Sequence, residues 1–174
     1  DSNKPKRTLL VTAVLLALLL LCALGTLAAV ITIDIGAVFE PNDNTMTMTS
    51  PISGVTYDGP TNTLTLDNAV ILASGTDTGI HYTYDLGDVY NGTLPELKVV
   101  LTGTNSIVTE GQHAFTVEST PRHIFIPIRI SGSGSLTANK ETANRGVDGL
   151  HFGMANVTVE SGTIEAYGIE SGLV

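Results

Sequence analysis

Leu97-Lys98-Val99-Val100-Leu101-Thr102-Gly103-Thr104-Asn105-Ser106-Ile107 holds two short apolar runs on either side of one glycine. Apolar residues at every second position mark a strand with one face buried, and Gly103 punctuates that strand before a second run begins. The same arrangement recurs on both sides. Upstream stand Leu64 and Leu66; downstream come Ile126, Ile128 and Ile130 with Gly134 then Leu136, and Val157 and Val159 with Gly162 then Ile164. Taking Leu66, Val99, Ile130 and Val159 as equivalent points, the steps are 33, 31 and 29 residues. A third feature, glycine before an apolar residue, follows at Gly79-Ile80, Gly149-Leu150 and Gly168-Ile169, with Gly111-Gln112 as a weaker member.

Self-similarity at a period of 20 to 50 residues marks repeat architectures, in which no unit buries its apolar face alone. The expected fold is all-β, a short parallel β-helix (a solenoid) over 54–174, with Leu66, Val99, Ile130 and Val159 in one buried stack. A hairpin sandwich is the alternative, but it asks for tight two-residue turns and no fixed period. The segments 85–96, 118–122 and 139–145 interrupt the repeat and are expected to protrude as loops.

The N-terminus reads differently. Residues 1–7 carry Lys4, Lys6 and Arg7, and Thr8 to Ile33 contains no charged residue. At about 1.5 Å per residue a helix over 8–33 crosses a hydrocarbon core of about 30 Å, and the basic flank places the C-terminal bulk outside. The expectation is one transmembrane helix over 8–33, a cytoplasmic N-terminus, a linker or cap over 34–53 and an extracellular domain at the cell surface. A cleaved secretory signal is the competing reading. The sole cysteine, Cys22, lies in the apolar span, so no disulfide or thiolate metal site is expected beyond it.

From Asp34 onward there are 16 acidic and 5 basic residues. Such a field repels phosphate backbones and argues against nucleic acid as a partner.

Three segments together carry a resemblance: Gly54-Val55-Thr56-Tyr57-Asp58, then Asn62-Thr63-Leu64-Thr65-Leu66-Asp67-Asn68-Ala69, then Leu97 to Asn105, with Ile130 to Leu136 and Val159 to Ile164 fitting the same pattern. The chain resembles the bacterial cell-surface β-helix family described as carbohydrate-binding-domain proteins, over roughly 54–174. That resemblance implies a right-handed parallel β-helix similar to that of polysaccharide lyases, and binding of polysaccharide with calcium, without established catalysis.

Candidate site residues follow. His81, His113 and His151 each stand two positions after a corner glycine, and in register they would form an outward column able to hold a divalent metal or a sugar hydroxyl edge. A surface ladder of polar side chains is the plainer reading. Tyr82, Tyr84 and Tyr90 are the candidates for stacking on sugar rings, since an aromatic face suits a pyranose while its hydroxyl stays wet. Asp77, Asp85, Asp88 and Glu96 make the densest acidic group and are the calcium candidates; a solvated acidic surface is the alternative.

A lyase would need basic residues for proton abstraction and for holding uronate carboxylates, and only Lys98, Arg122, Arg129, Lys140 and Arg145 are available. No catalytic residue is assigned, and no enzyme activity is expected. The resulting expectation is a membrane-anchored glycan-binding surface protein using calcium. Alternatives are a structural or adhesive subunit forming homo-oligomers through open solenoid ends, and a degenerate polysaccharide lyase. Asn91-Gly92-Thr93 and Asn156-Val157-Thr158 also match the N-glycosylation pattern.

Overall fold

A computed structural model describes residues 31–35, 45–48, 50–85, 95–120, 125–139, 148–153 and 155–167. Its fourteen strands are β1 (Ile31–Ile35), β2 (Thr45–Met48), β3 (Val55–Asp58), β4 (Thr63–Asp67), β5 (Val70–Ala73), β6 (Ile80–Asp85), β7 (Leu97–Thr102), β8 (Thr104–Thr109), β9 (Phe115–Thr120), β10 (Ile126–Gly132), β11 (Ser135–Ala138), β12 (Leu150–Phe152), β13 (Ala155–Val159) and β14 (Thr163–Ala166). They form three sheets, ordered β2-β1-β6-β9-β12, β3-β4-β7-β10-β13 and β5-β8-β11-β14. From β4 onward the chain visits the sheets in rotation, and each strand pairs in parallel with the strand three elements later. The antiparallel pairs β1·β2 and β3·β4 stand at the other end.

Alternation explains which side chains turn inward. Along β7, Leu97, Val99 and Leu101 are buried while Lys98 and Thr102 are exposed, and β10 buries Ile126, Ile128 and Ile130 in the same rhythm. Register then stacks the inward residues into columns: Leu64, Val99, Ile130 and Val159 in the second sheet, and Ile31, Ile80, Phe115 and Leu150 in the first. The expected column therefore holds Leu64 where Leu66 was placed; Leu66 lies two residues on, beside Leu101.

Some inward positions are polar, among them Asn105 and Thr109 of β8. Asn105 pairs with Leu136 in the third sheet and is fully buried. Its Oδ1 accepts from the Ala69 amide at 2.8 Å, and its Nδ2 donates to the carbonyls of Thr102 and Ser135 at 3.1 and 3.0 Å. A buried amide costs little when every group is bonded, so asparagine replaces an aliphatic residue where three chain segments must be joined.

The expected architecture, a β-helix behind a transmembrane helix, is corrected. The described chain is all-β, contains no helix, and combines parallel ladders with antiparallel pairs. The single-pass location is corrected with it, because the apolar span over 8–33 does not end as a helix. Ile31 and Ile33 are fully buried core residues of β1, in register with Ile80 and Tyr82. The run looked long because the first strand directly abuts a Leu-rich stretch, and its β-branched residues suit a strand. No helix among the described residues is long and apolar enough to cross a membrane. Residues 8–30 of the expected span lie outside the described residues.

Candidate functional site

The histidine column is broken by register. His81, Thr116 and His151 occupy equivalent positions of the first sheet, so Thr116 stands where His113 was expected. Ala114-Phe115, not Gly111-Gln112, is the counterpart of Gly79-Ile80 and Gly149-Leu150. His113 instead lies in the turn before β9, three residues short of Thr116.

It nevertheless meets His151. The two imidazoles stack with centroids 4.3 Å apart and planes 18° from parallel. Asp148, in the turn before β12, sets its Oδ2 3.5 Å from His113 Nδ1 and 3.4 Å from His151 Nδ1. All three side chains are partly exposed. The Asp148 N–H donates to His113 Nδ1 at 3.1 Å, which fixes that nitrogen as the acceptor of the ring. Burial, and next the adjacent His151, hold the His113 pKa below its ordinary value of 6.5 against the opposing pull of Asp148, so this imidazole is neutral at pH 7. His81 is not in the group; its Nε2 lies 3.4 Å from Glu118.

The backbone under this cluster is tied down from several directions. The Asp148 carbonyl accepts from the Ala114 amide at 3.2 Å and from Asn139 Nδ2 at 3.2 Å. Asn139 is fully buried at φ +57°, and its Oδ1 accepts from the amide and hydroxyl of Thr109.

The tyrosine candidates resolve into core residues. Tyr82 is 0% and Tyr84 1% exposed, with rings edge to face at 5.1 Å. They turn inward in register with Ile33 and Ile35 of β1, so neither offers a ring face to a sugar. Their hydroxyls converge on buried Asn62, whose Oδ1 accepts from Tyr82 at 2.9 Å and whose Nδ2 donates to Tyr84 at 3.2 Å. Burial drives the Tyr82 phenol pKa far above its usual range. Tyr90 lies outside the described residues.

The calcium candidates are not brought together as one site. Asp77 is exposed in the turn after β5. Asp85 closes β6, its side chain outside the described residues together with Asp88. Glu96 is engaged by Arg129, whose Nε and Nη2 donate to the two carboxylate oxygens at 2.7 and 3.0 Å, while Nη1 donates to Glu160. Lys98 and Arg129 are register neighbours on adjacent strands, and the two glutamates offset that like-charge contact.

This network gives a pH prediction. Arg129 holds the Glu96 carboxyl below its ordinary value of 4.5, so Glu96 ionises more readily in the folded chain than in the unfolded one. The stabilisation is complete above 4.5 and is lost as pH falls through that value and then through the folded one. Urea unfolding at about pH 7 and about pH 3.5 should therefore show a smaller acid-induced loss of stability in Glu96→Gln than in the parent chain.

The sequence suggests an open solenoid end but places Val159 in a buried stack. At β12, β13 and β14 each sheet presents an edge strand. Val157 and Val159, inward by register with Ile128 and Ile130, are 38% and 53% exposed. A cavity of about 500 Å³ lies there, lined by Ile130, Leu150, Phe152, Val157, Val159 and Ile164.

No family model matches this chain, and no curated protein or solved structure matches it either.

Proposed function

We propose that this protein is a structural subunit that associates end to end, its three open strand edges meeting those of a second copy. The observation that carries this reading is the exposure of Val157 and Val159 over an apolar cavity, at sheet edges that no other described strand pairs. An exposed edge offers unpaired amides and carbonyls to another chain, and monomeric proteins blunt such edges with charges or proline. The β13 run Ala155-Asn156-Val157-Thr158-Val159 contains neither.

A second copy is the partner that charge permits. The chain is acidic overall, yet β12 and β13 contain no acidic residue, and Glu160 beside them is paired with Arg129. A two-fold axis across the stack turns each edge strand antiparallel to its partner, an isologous contact that closes at two chains. Full burial of a Val or Ile side chain is worth about 1.5–3 kcal/mol. Three such side chains plus edge hydrogen bonds stand against an association cost of about 4–15 kcal/mol, so the dimer is concentration-dependent.

Glycan binding, the function implied by resemblance, loses Tyr82 and Tyr84 to the core and gains no described aromatic pair in their place. It is not the reading favoured here.

Sedimentation equilibrium of the full chain against Val159→Lys tests the proposal. Val159 is half exposed, so lysine is tolerated in the monomer while its charge opposes a paired edge. The parent chain should approach twice the monomer mass with rising concentration, and the variant should remain monomeric with an unchanged circular dichroism spectrum. Equal masses for the two at every concentration would overturn the reading. Because the substitution is confined to this end, any association through the Leu-rich 8–30 segment affects both proteins alike.

A further inference from the structure

We propose that His113, Asp148 and His151 form a three-ligand site for a borderline divalent metal of the zinc class. Zinc bonds nitrogen at about 2.0–2.1 Å and carboxylate oxygen at about 2.0–2.2 Å, and a tetrahedron with such bonds places its ligand atoms roughly 3.4 Å apart. Two of the three edges already have that length: His151 Nδ1 to Asp148 Oδ2 is 3.4 Å, and His113 Nδ1 to the same oxygen is 3.5 Å. The third edge is bounded too, since all three ligand atoms lie within 4.8 Å of one another. The rings must turn out of their stack, 4.3 Å between centroids, so that both in-plane Nδ1 lone pairs point at one centre; the fourth position is then left for water.

The donor set selects the metal. Calcium seeks six to eight oxygens, and two imidazoles with one carboxylate offer it at most two side-chain oxygens. Imidazole suits zinc, copper and nickel, and cobalt(II) follows zinc into such sites with a visible spectrum. The site replaces the oxygen-only calcium group expected over Asp77, Asp85, Asp88 and Glu96.

Three features prepare the cluster. His113 presents Nδ1 as an acceptor, so its lone pair is directed toward Asp148, and metal binding exchanges the Asp148 N–H bond for coordination. Asn139 and the Ala114 amide hold the Asp148 carbonyl, which fixes the turn that carries the carboxylate. Beside His151 in register, Thr116 Oγ1 is buried without a hydrogen-bond partner among the described residues.

Titration of the full chain with Co²⁺ and Zn²⁺, in the presence of excess Ca²⁺ and Mg²⁺, tests the assignment. One equivalent should bind, with cobalt d–d bands of tetrahedral intensity that zinc abolishes. His151→Gln and Asp148→Asn should each weaken binding by at least about tenfold, the loss that even an outer partner of a ligand causes. His81→Gln, on the same sheet face, should bind as the parent does. Imidazole ¹⁵N shifts of the parent chain supply a readout that needs no variant: zinc should move His113 and His151 and leave His81 in place. Binding that survives in the His113→Gln/His151→Gln double variant, or that calcium abolishes, would overturn the site, as would an unchanged imidazole spectrum at saturating zinc.

Discussion

Asn139→Ala should cost on the order of 4–6 kcal/mol, a large share of the roughly 5–15 kcal/mol that stabilises a domain of this size. Four bonds converge on this fully buried side chain. Oδ1 accepts from the Thr109 amide at 2.9 Å and hydroxyl at 3.0 Å, and Nδ2 donates to the carbonyls of Gln112 at 3.3 Å and Asp148 at 3.2 Å. Each buried group stranded by the truncation costs about 1–3 kcal/mol. Some of these keep other partners: the Thr109 hydroxyl also donates to the Gln112 carbonyl, and the Asp148 carbonyl also accepts from Ala114. The left-handed conformation at φ +57° adds about 1–2 kcal/mol for alanine, a cost asparagine partly escapes. Urea unfolding of Asn139→Ala beside Asn139→Gly separates the two contributions, because glycine removes the bonds and relieves the backbone. Glycine should recover only about 1 kcal/mol relative to alanine. If it restored parental stability, the hydrogen bonds would contribute nothing.

Gly132→Ala should be nearly as damaging, at about 3 kcal/mol or more, for a different reason. Gly132 ends β10 at φ +116°, and a Cβ there would lie 2.1 Å from the Leu101 carbonyl oxygen and 2.8 Å from the Leu101 nitrogen. The obstacle is backbone of the neighbouring strand, since Leu101 is its register partner, so no rotamer change relieves it. Strain of about 1–3 kcal/mol from the dihedral alone adds to the displacement of the ladder. Gly75→Ala is the internal comparison: it too has positive φ, at +67°, but a Cβ there meets nothing within 4 Å. It should lose only about 1–2 kcal/mol. Equal losses at the two positions, measured by chemical denaturation, would show that close approach of strands is not what glycine serves at 132.

What sequence made legible was local alternation. Leu97, Val99 and Leu101 and Ile126, Ile128 and Ile130 are strands with those residues inward, as their period of two requires. Register was legible only to within a few residues. The step from the first repeat is longer than equal spacing suggests, because Leu64 and not Leu66 pairs with Val99, and both are leucines on the same face. His113 was misplaced for a similar reason: Gly111-Gln112 imitates a corner, while Ala114-Phe115 carries the pairing.

The inward turn of Tyr82 and Tyr84 was hidden because a tyrosine is equally suited to a sugar and to a core in which its hydroxyl finds a partner. That partner, Asn62, lies 20 and 22 residues away in sequence. The end of the apolar N-terminal run was misread because Ile31 and Ile33 satisfy a membrane pattern and a strand pattern alike. The His113–Asp148–His151 cluster joins the turns before β9 and β12 to β12 itself, and no spacing motif reports the contact of His113 with the other two.

Pairing of the β13 sheet edge with another copy is read directly by backbone hydrogen exchange. The amides of Ala155–Val159 that face away from β10 should become protected as protein concentration rises, while amides of β7, enclosed between β4 and β10, exchange at a constant rate. Exchange of the β13 amides that is fast and independent of concentration would contradict it.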